Sequence, residues 1–403
     1  MNEFIESRVR LEWHELKPSY DVVIIGGGGH GLSTAYHLAT RHGIRNVAVL
    51  ERGYIGSGNT GRNTTVIRAN YGIPEAIRFY QHSLDLYRRL EDETGRWIMH
   101  TEKGLIWLVH SEAGVRGEKK RAVMNTASGA ETVFITPEEI EALVPEIDLT
   151  GGGSGYPVLG ASYHLRAATA RHDRVVWALA EGAMSAGVGV QQRTEVTGIT
   201  MARGRVTGVE TNRGRIAADV VVSAVGGHAS IIAGMVGLRL PVVSHPLQAY
   251  VTNHYRQSFP LIVGSLELPF YVSQTARGEM LIGAEYERAP GYSYGTTFDL
   301  LAGCSAKAIA YLPFLGRLRI LRQWAGVCDI SPDASPIMGV TPVDGFLIST
   351  GWGTWGFKAI PAGGEQLAEL IATGQTPDLI APFSYDRFTR DRIMSDAGSA
   401  GTH

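Results

Sequence analysis

The stretch DVVIIGGGGHGLSTAYHLATRHG, residues 21–43, decides the fold. DVVII has the pattern of a short buried strand, and the rest reads as a tight turn followed by a helix. NVAVLE, residues 46–51, is the next strand. Strand, turn, helix and strand in about thirty residues form one dinucleotide-binding unit. The turn itself, Gly26-Gly27-Gly28-Gly29-His30-Gly31, is G-x-G-x-x-G. Gly26 permits the tight turn, Gly28 lets backbone approach a pyrophosphate, and Gly31 allows close helix–strand packing. Free N–H groups at the helix start, around Gly29 and His30, face the phosphates. Glu51 ends the second strand about twenty residues later, where a carboxylate binds a ribose hydroxyl.

Composition narrows the class. Of 403 residues, 44% are hydrophobic and 19% charged, which excludes a disordered or collagen-like chain. Lys plus Arg is 37 against 39 for Asp plus Glu, so no basic excess points to nucleic acid or an anionic membrane. Cys304 and Cys328 are the only cysteines, which excludes a disulfide framework and fits a reducing compartment. The first twenty residues lack the apolar stretch of a signal peptide. No run approaches the ~18 apolar residues of a membrane span. A cytoplasmic protein is expected. His37, His42, His228 and His245 offer no metal-ligand spacing, and no metal is expected.

Outward from the motif, helical and strand-like segments alternate to about residue 224, ending in VVVSAVGGHAS, residues 220–230. From Pro241 the pattern becomes strands, with a hairpin at Ala276-Arg277-Gly278. GFLIS, residues 345–349, is a late strand, and a Gly-rich turn from Gly351 to Lys358 leads into a last helix. The expected class is α/β: a discontinuous Rossmann-like nucleotide domain with a mixed or antiparallel β-sheet substrate domain. The nucleotide domain is assigned to 15–80, 160–235 and 325–385, the substrate domain to 81–159 and 236–324, and a polar tail to 386–403.

Two constellations carry chemistry. Glycines of the turn, among them Gly353 and Gly356, allow backbone N–H groups to face a cofactor ring and stabilise negative charge there. Arg68 stands just beyond a polar loop and Lys358 at the end of that turn; an Arg and a Lys converging on one pocket would bind a carboxylate, Arg through a planar fork and Lys as a point charge. Arg171-His172-Asp173 stands at an expected helix start, Asp173–Gly187, with Asp173 as cap. The helix dipole and Arg171 disfavour a protonated imidazole at His172, and a neutral imidazole is a nucleophile. Composition alone reads that histidine as a surface residue.

The set Gly26–Gly31, Glu51, residues 223–227 and Gly351–Lys358 resembles the glycine/D-amino-acid oxidase group of flavoproteins. Within it, GNTGRNTTVIRANY, RHDRVVWALA, SHPLQAYV, YVSQ, DASPI and GWGTWGFK look like β subunits of heterotetrameric sarcosine oxidases. The resemblance runs from about residue 13 to 394. It implies a noncovalent FAD and an FMN linked covalently to His172, beside Arg171. It implies FAD contacts from Asn59, Thr60, Thr64 and Val196, and a carboxylate clamp of Arg68 and Lys358 holding sarcosine. It implies α, γ and δ partner subunits, electron transfer to oxygen, and a one-carbon product released as formaldehyde or passed to folate. Monomeric relatives carry a flavin-facing lysine, whereas no lysine occurs here between Lys120 and Lys307.

Trp355 departs from the pattern, where sarcosine oxidases usually have Gly. It leaves two arrangements open: a pocket reshaped for a larger N-methyl amino acid such as N-methylglutamate, or a tryptophan packed away. A noncatalytic flavin-binding subunit is the third reading. A disulfide reductase would need a redox cysteine pair and a second glycine motif, and both are missing.

Overall fold

A computed structural model describes residues 15–256, 259–390 and 392–394. Residues 1–14 of the twenty read for a leader, and the end of the expected tail (395–403), lie outside the described residues.

The quoted stretch folds as strand Ser19–Ile25 and helix Gly29–Arg41. The strand runs parallel to Val47–Leu50 on one side and to Gly214–Ser223 on the other. Gly189–Gln191 extends one edge, and Phe346–Thr350 pairs with the end of Gly214–Ser223. Alternate residues of the first strand enter different cores. Val22 and Ile24 pack with Leu32, Ala35 and Leu179, while Val23 and Ile25 pack with Val196, Val209 and Ile216. A strand buried on both faces has no polar alternation, which is why DVVII reads as a continuous apolar run. Helices Gly29–Arg41, His172–Ser185 and Ile360–Thr373 cover one face. The antiparallel strands Val196–Ala202, Arg205–Thr211 and the start of Gly214–Ser223 turn over the other.

A second eight-stranded sheet has the order 320–330, 243–254, 279–286, 270–274, 262–265, 105–109, 160–164, 132–135. All its pairings are antiparallel except Ile262–Ser265 with Leu105–Val109. One face carries Ile106, Leu108, Val263, Val272 and Ile282 against helix Phe298–Tyr311. The other carries Leu105, Trp107 and Ile262, with Val66 and Tyr271 packed against them. This second face looks toward the nucleotide motif and forms one wall of the cavity described below. A small sheet of Val66–Ile67, Ala168–Thr169 and Thr101–Glu102 joins segments from both halves and ends beside Arg68.

Two local expectations need correction. The helix expected at Asp173–Gly187 runs from His172 to Ser185, with Arg171 at the N-cap. Asp173 lies inside the first turn, where its carboxylate accepts from Arg174 N at 3.0 Å and Arg171 Nε at 2.7 Å. The region assigned as a polar tail begins instead with buried structure. Arg387, in the short helix Tyr385–Phe388, is only 2% exposed and donates to both carboxylate oxygens of Asp333 at 2.8 and 2.9 Å.

Among the described residues no helix is long and apolar enough to cross a membrane.

Candidate active site

The G-x-G-x-x-G geometry follows from what side chains would displace. Gly26 takes φ of 112°, and a Cβ there would run into the Ala224 carbonyl. A Cβ on Gly31 would strike the Gly26 carbonyl and sit 3.2 Å from Ile24 Cγ2. The strand–turn–helix crossing is therefore closed to any larger residue at both positions. Glu51 Oε2 accepts from Gly27 N at 2.9 Å and Oε1 from Gly53 N at 2.7 Å, which anchors the carboxylate at the end of its strand. Thr60 Oγ1 accepts from Gly29 N at 3.0 Å.

A cavity of about 540 Å³ runs along this motif. Its lining takes in Glu51 and Val196, then Gly26, Gly28, Gly29, Asn59 and Thr60, and also Arg68, Trp107, Tyr271, Gly353, Gly356 and Lys358. A cradle that unites a helix N-terminus with two cations fits FAD. Gly28 leaves open the space beside Thr60 Oγ1, which a Cβ would approach to 3.2 Å.

The predicted contacts fall into two kinds. Asn59 lines the cavity, but its side chain ties two elements together. Oδ1 accepts from Val327 N at 2.8 Å, and Nδ2 donates to the Val327 carbonyl. Thr64 also lines the cavity and shares a 2.7 Å hydroxyl–hydroxyl hydrogen bond with Tyr271. The adjoining Thr65, which also lines the cavity, has φ of 62°, a left-handed conformation that costs a β-branched residue energy. His30 stacks on Trp352 with ring centroids 4.1 Å apart, and its Nε2 donates to the Gly356 carbonyl at 2.9 Å. Burial lowers the His30 imidazole to about 4, so it is neutral at physiological pH.

Arg68 and Lys358 reach the same end of the cavity from different elements. Arg68 is 5% exposed and lies between the rings of Tyr71 and Trp107, with its guanidinium carbon 4.4 and 5.4 Å from the centroids. Its Nη1 donates to Asn70 O at 2.8 Å and Asn70 Oδ1 at 3.0 Å, which fixes the plane of the fork. Lys358 is 7% exposed, and its Nζ donates to Thr354 O at 3.0 Å. Burial, with a further push from the Arg68 charge, drives the Lys358 ammonium well below its ordinary pKa. Two buried cations that disfavour each other make an anion-binding end: a ligand carboxylate would relieve both.

The turn between Gly351 and Lys358 is held from below. Gly351 and Gly353 have φ of 68° and 50°. The Gly353 N–H, expected to face the cofactor, donates to the Asp329 carbonyl at 3.0 Å. Trp355 turns into the core and is 1% exposed, and the cavity lining passes from Thr354 to Gly356 without it. Asp329 and Cys328, buried in the wall, were not singled out by sequence reading. Burial raises the Cys328 thiol, the neighbouring Asp329 raises it further, and Lys358 partly offsets this.

Arg171 and His172 lie apart from this cavity and do not line it. Burial, more than Arg171, lowers the His172 imidazole, and Asp173 opposes both. His172 Nδ1 is buried with no hydrogen-bond partner among the described residues.

Comparison with known proteins agrees with this geometry. Residues 21–370 match the family described as FAD dependent oxidoreductase. The sarcosine oxidase subunit beta of Rhodobacter capsulatus is 41% identical over 96% of this chain and 93% of its own length. The protein of the same name from an Arthrobacter species is 42% identical over 96% of this chain and 95% of its own. Among solved structures, L-proline dehydrogenase from P. horikoshii superposes with a TM-score of 0.88 at 30% identity, covering 93% of this chain and 99% of that one. Glycine oxidase from Geobacillus kaustophilus, at 24% identity and a TM-score of 0.81 over 92% of this chain and 99% of that one, shares the fold. With its glycine cradle, its cation-lined end and these relatives, the chain belongs to the FAD dependent oxidoreductase family.

Proposed function

We propose that this chain is the β subunit of a hetero-oligomeric sarcosine oxidase that oxidatively demethylates sarcosine to glycine. The single observation that carries this reading is the convergence of buried Arg68 and Lys358, each within reach of the other's charge, on the cavity that the Gly26–Gly31 motif lines. The three relatives at 40–42% identity that are named sarcosine oxidase subunit beta support it.

When bound, FAD supplies the oxidant that accepts a hydride from the substrate's N-methyl carbon. The protein's contribution is binding, orientation and charge. Arg68, its plane set by Asn70, and Lys358 grip the carboxylate of a neutral-amine substrate. The remaining degrees of freedom then carry the methyl toward the cofactor, and positioning of this kind accounts for much of the rate. Leu105, Trp107 and Ile262 give an apolar wall that keeps bulk water from the reacting carbon. The balance is sarcosine plus water plus oxidised acceptor to glycine plus formaldehyde plus reduced acceptor. The one-carbon unit leaves as formaldehyde or passes to folate.

The reading extends to a second flavin. His172 would hold an FMN covalently, and that group would supply the route for electrons to oxygen, with hydrogen peroxide as the reduced product. A neutral imidazole with an unpartnered nitrogen, set away from the FAD cavity, supports this. The chain works with α, γ and δ subunits in the cytoplasm. FAD is held by 15–80, 160–235 and 325–385, and the substrate end is completed by 81–159 and 236–324.

The test combines flavin analysis with substrate titration of the assembled complex. Flavin retained in the acid-precipitated protein must disappear in His172→Ala. Saturation with sarcosine must weaken in Lys358→Met and Arg68→Met. Faster reduction by N-methylglutamate than by sarcosine would overturn the substrate assignment.

A further inference from the structure

Nothing in the glycine-rich sequence of the Gly351–Lys358 turn selects one conformation, because glycine enters left-handed and right-handed regions with similar ease. Yet this turn fixes Thr354 O, the carbonyl that holds Lys358 Nζ at 3.0 Å. One side chain grips the turn where it leaves the sheet. Asp329, 2% exposed at the end of the long strand Ile320–Ile330, accepts at Oδ2 from Gly351 N at 2.6 Å and Thr350 Oγ1 at 2.8 Å. Its main-chain carbonyl accepts from Gly353 N at 3.0 Å. The same residue therefore binds the turn at both left-handed glycines, and it stands in the cavity wall. A buried carboxylate costs several kcal/mol of desolvation unless its lone pairs are satisfied. Here those of Oδ2 are satisfied by the groups that define the turn.

We infer that Asp329 is a positioning residue: through Thr350, Gly351 and Gly353 it sets the turn that presents Lys358 to the substrate carboxylate. The inference rests on the carboxylate-clamp reading above. It makes an electrostatic prediction of unusual sign. Burial raises the Asp329 carboxyl, and the donors Thr350 and Gly351 favour its ionised form. Removing that ionised form from the wall of an anion site should, by charge alone, tighten anion binding. If Asp329 acts by positioning Lys358, its removal weakens anion binding instead.

The experiment uses the FAD-loaded complex and two ligands that differ only at the clamped group. Methoxyacetate copies sarcosine with oxygen in place of the amine, and methoxyacetamide replaces its carboxylate by a neutral amide. Dissociation constants are read from the flavin absorbance change. Asp329→Asn is expected to weaken methoxyacetate about tenfold, the scale of one charge-assisted hydrogen bond, and to leave methoxyacetamide unchanged. Thr350→Val removes one partner of Asp329 but keeps its charge. It should shift the carboxylate in the same direction by less, and it decides the matter if Asp329→Asn does not fold. Equal weakening of both ligands, or unchanged or tighter binding of methoxyacetate, overturns the inference. Lys358→Met, measured alongside, separates the two claims. If it loses the carboxylate while Asp329→Asn does not, only the positioning role fails. If Lys358→Met binds both ligands like the wild type, the clamp fails and the inference falls with it.

Discussion

Trp355 packs against Tyr71 with ring centroids 4.5 Å apart and stays out of the cavity lining, whereas Trp352 of the same turn lines it. Tyr80 meets the same indole edge-on at 5.8 Å and donates to the Trp355 carbonyl at 3.5 Å. The tryptophan that sets this chain apart from the usual glycine is thus a core residue. Trp355→Ala should cost about 3–5 kcal/mol of stability, as for other large aromatic truncations. Chemical denaturation checks the loss. The ratio of kcat/KM for sarcosine to that for N-methylglutamate should stay where it is in the wild type.

The Arg387–Asp333 pair is almost fully buried, and Met394 N adds a 3.1 Å hydrogen bond to the same carboxylate. Arg387→Met leaves a buried charge without its partner and should destabilise the protein by about 3–5 kcal/mol. Burial alone would raise the Asp333 carboxyl, but Arg387 overrides it and holds the group below its usual range. A depressed acid contributes stability that is present above its unfolded pKa and is lost as pH falls through the folded one. The wild type should therefore lose stability below about pH 4, where free aspartate titrates. Arg387→Met should lack most of this acid-dependent component, as thermal unfolding against pH would reveal.

Lys358 gives a second pH dependence, this time in binding. Burial and the nearby Arg68 charge favour its neutral form. A carboxylate ligand needs the ammonium, so affinity should fall as pH rises through a pKa well below that of free lysine. Methoxyacetate isolates the effect because it has no titrating amine. Its dissociation constant should climb on the alkaline side in the wild type and stay flat in Lys358→Met.

Gly31→Ala tests the cradle. The added Cβ would meet the Gly26 carbonyl at the strand–helix crossing. The variant should emerge without FAD, with a weakened yellow absorbance and a reduced flavin-to-protein ratio. Gly117→Ala, inside helix Glu112–Ala127 where a Cβ would meet nothing within 4 Å, is the control and should keep its flavin.

What the sequence disclosed and what it withheld divide along a physical line. Gly26–Gly31, Glu51 and the Gly351–Lys358 turn are local devices, legible because their spacing alone fixes a backbone shape. Arg68 and Lys358 are 290 residues apart in numbering, and the fold brings them to one cavity end. Their joint role came from a family resemblance, not from spacing. Asp329 was missed because its partners, Thr350 and Gly351, sit on another strand end and leave no local signal. Tyr271 was missed for the same reason, since only the folded chain brings its hydroxyl to Thr64. Asn59 was read as a cofactor contact, yet its side-chain amide is engaged with Val327, a tie that no pattern around residue 59 announces. The start of the helix at His172 was shifted by one residue because Asp173 is a favourable cap by type but serves Arg174 from within the first turn.

The most direct measurement is anaerobic titration of the purified complex with sarcosine, followed by flavin absorbance. The account predicts bleaching that saturates in the wild type, demands much higher sarcosine in Lys358→Met and Arg68→Met, and yields formaldehyde in step with reduced flavin. A wild-type complex that binds FAD but keeps its full oxidised spectrum at saturating sarcosine would contradict it.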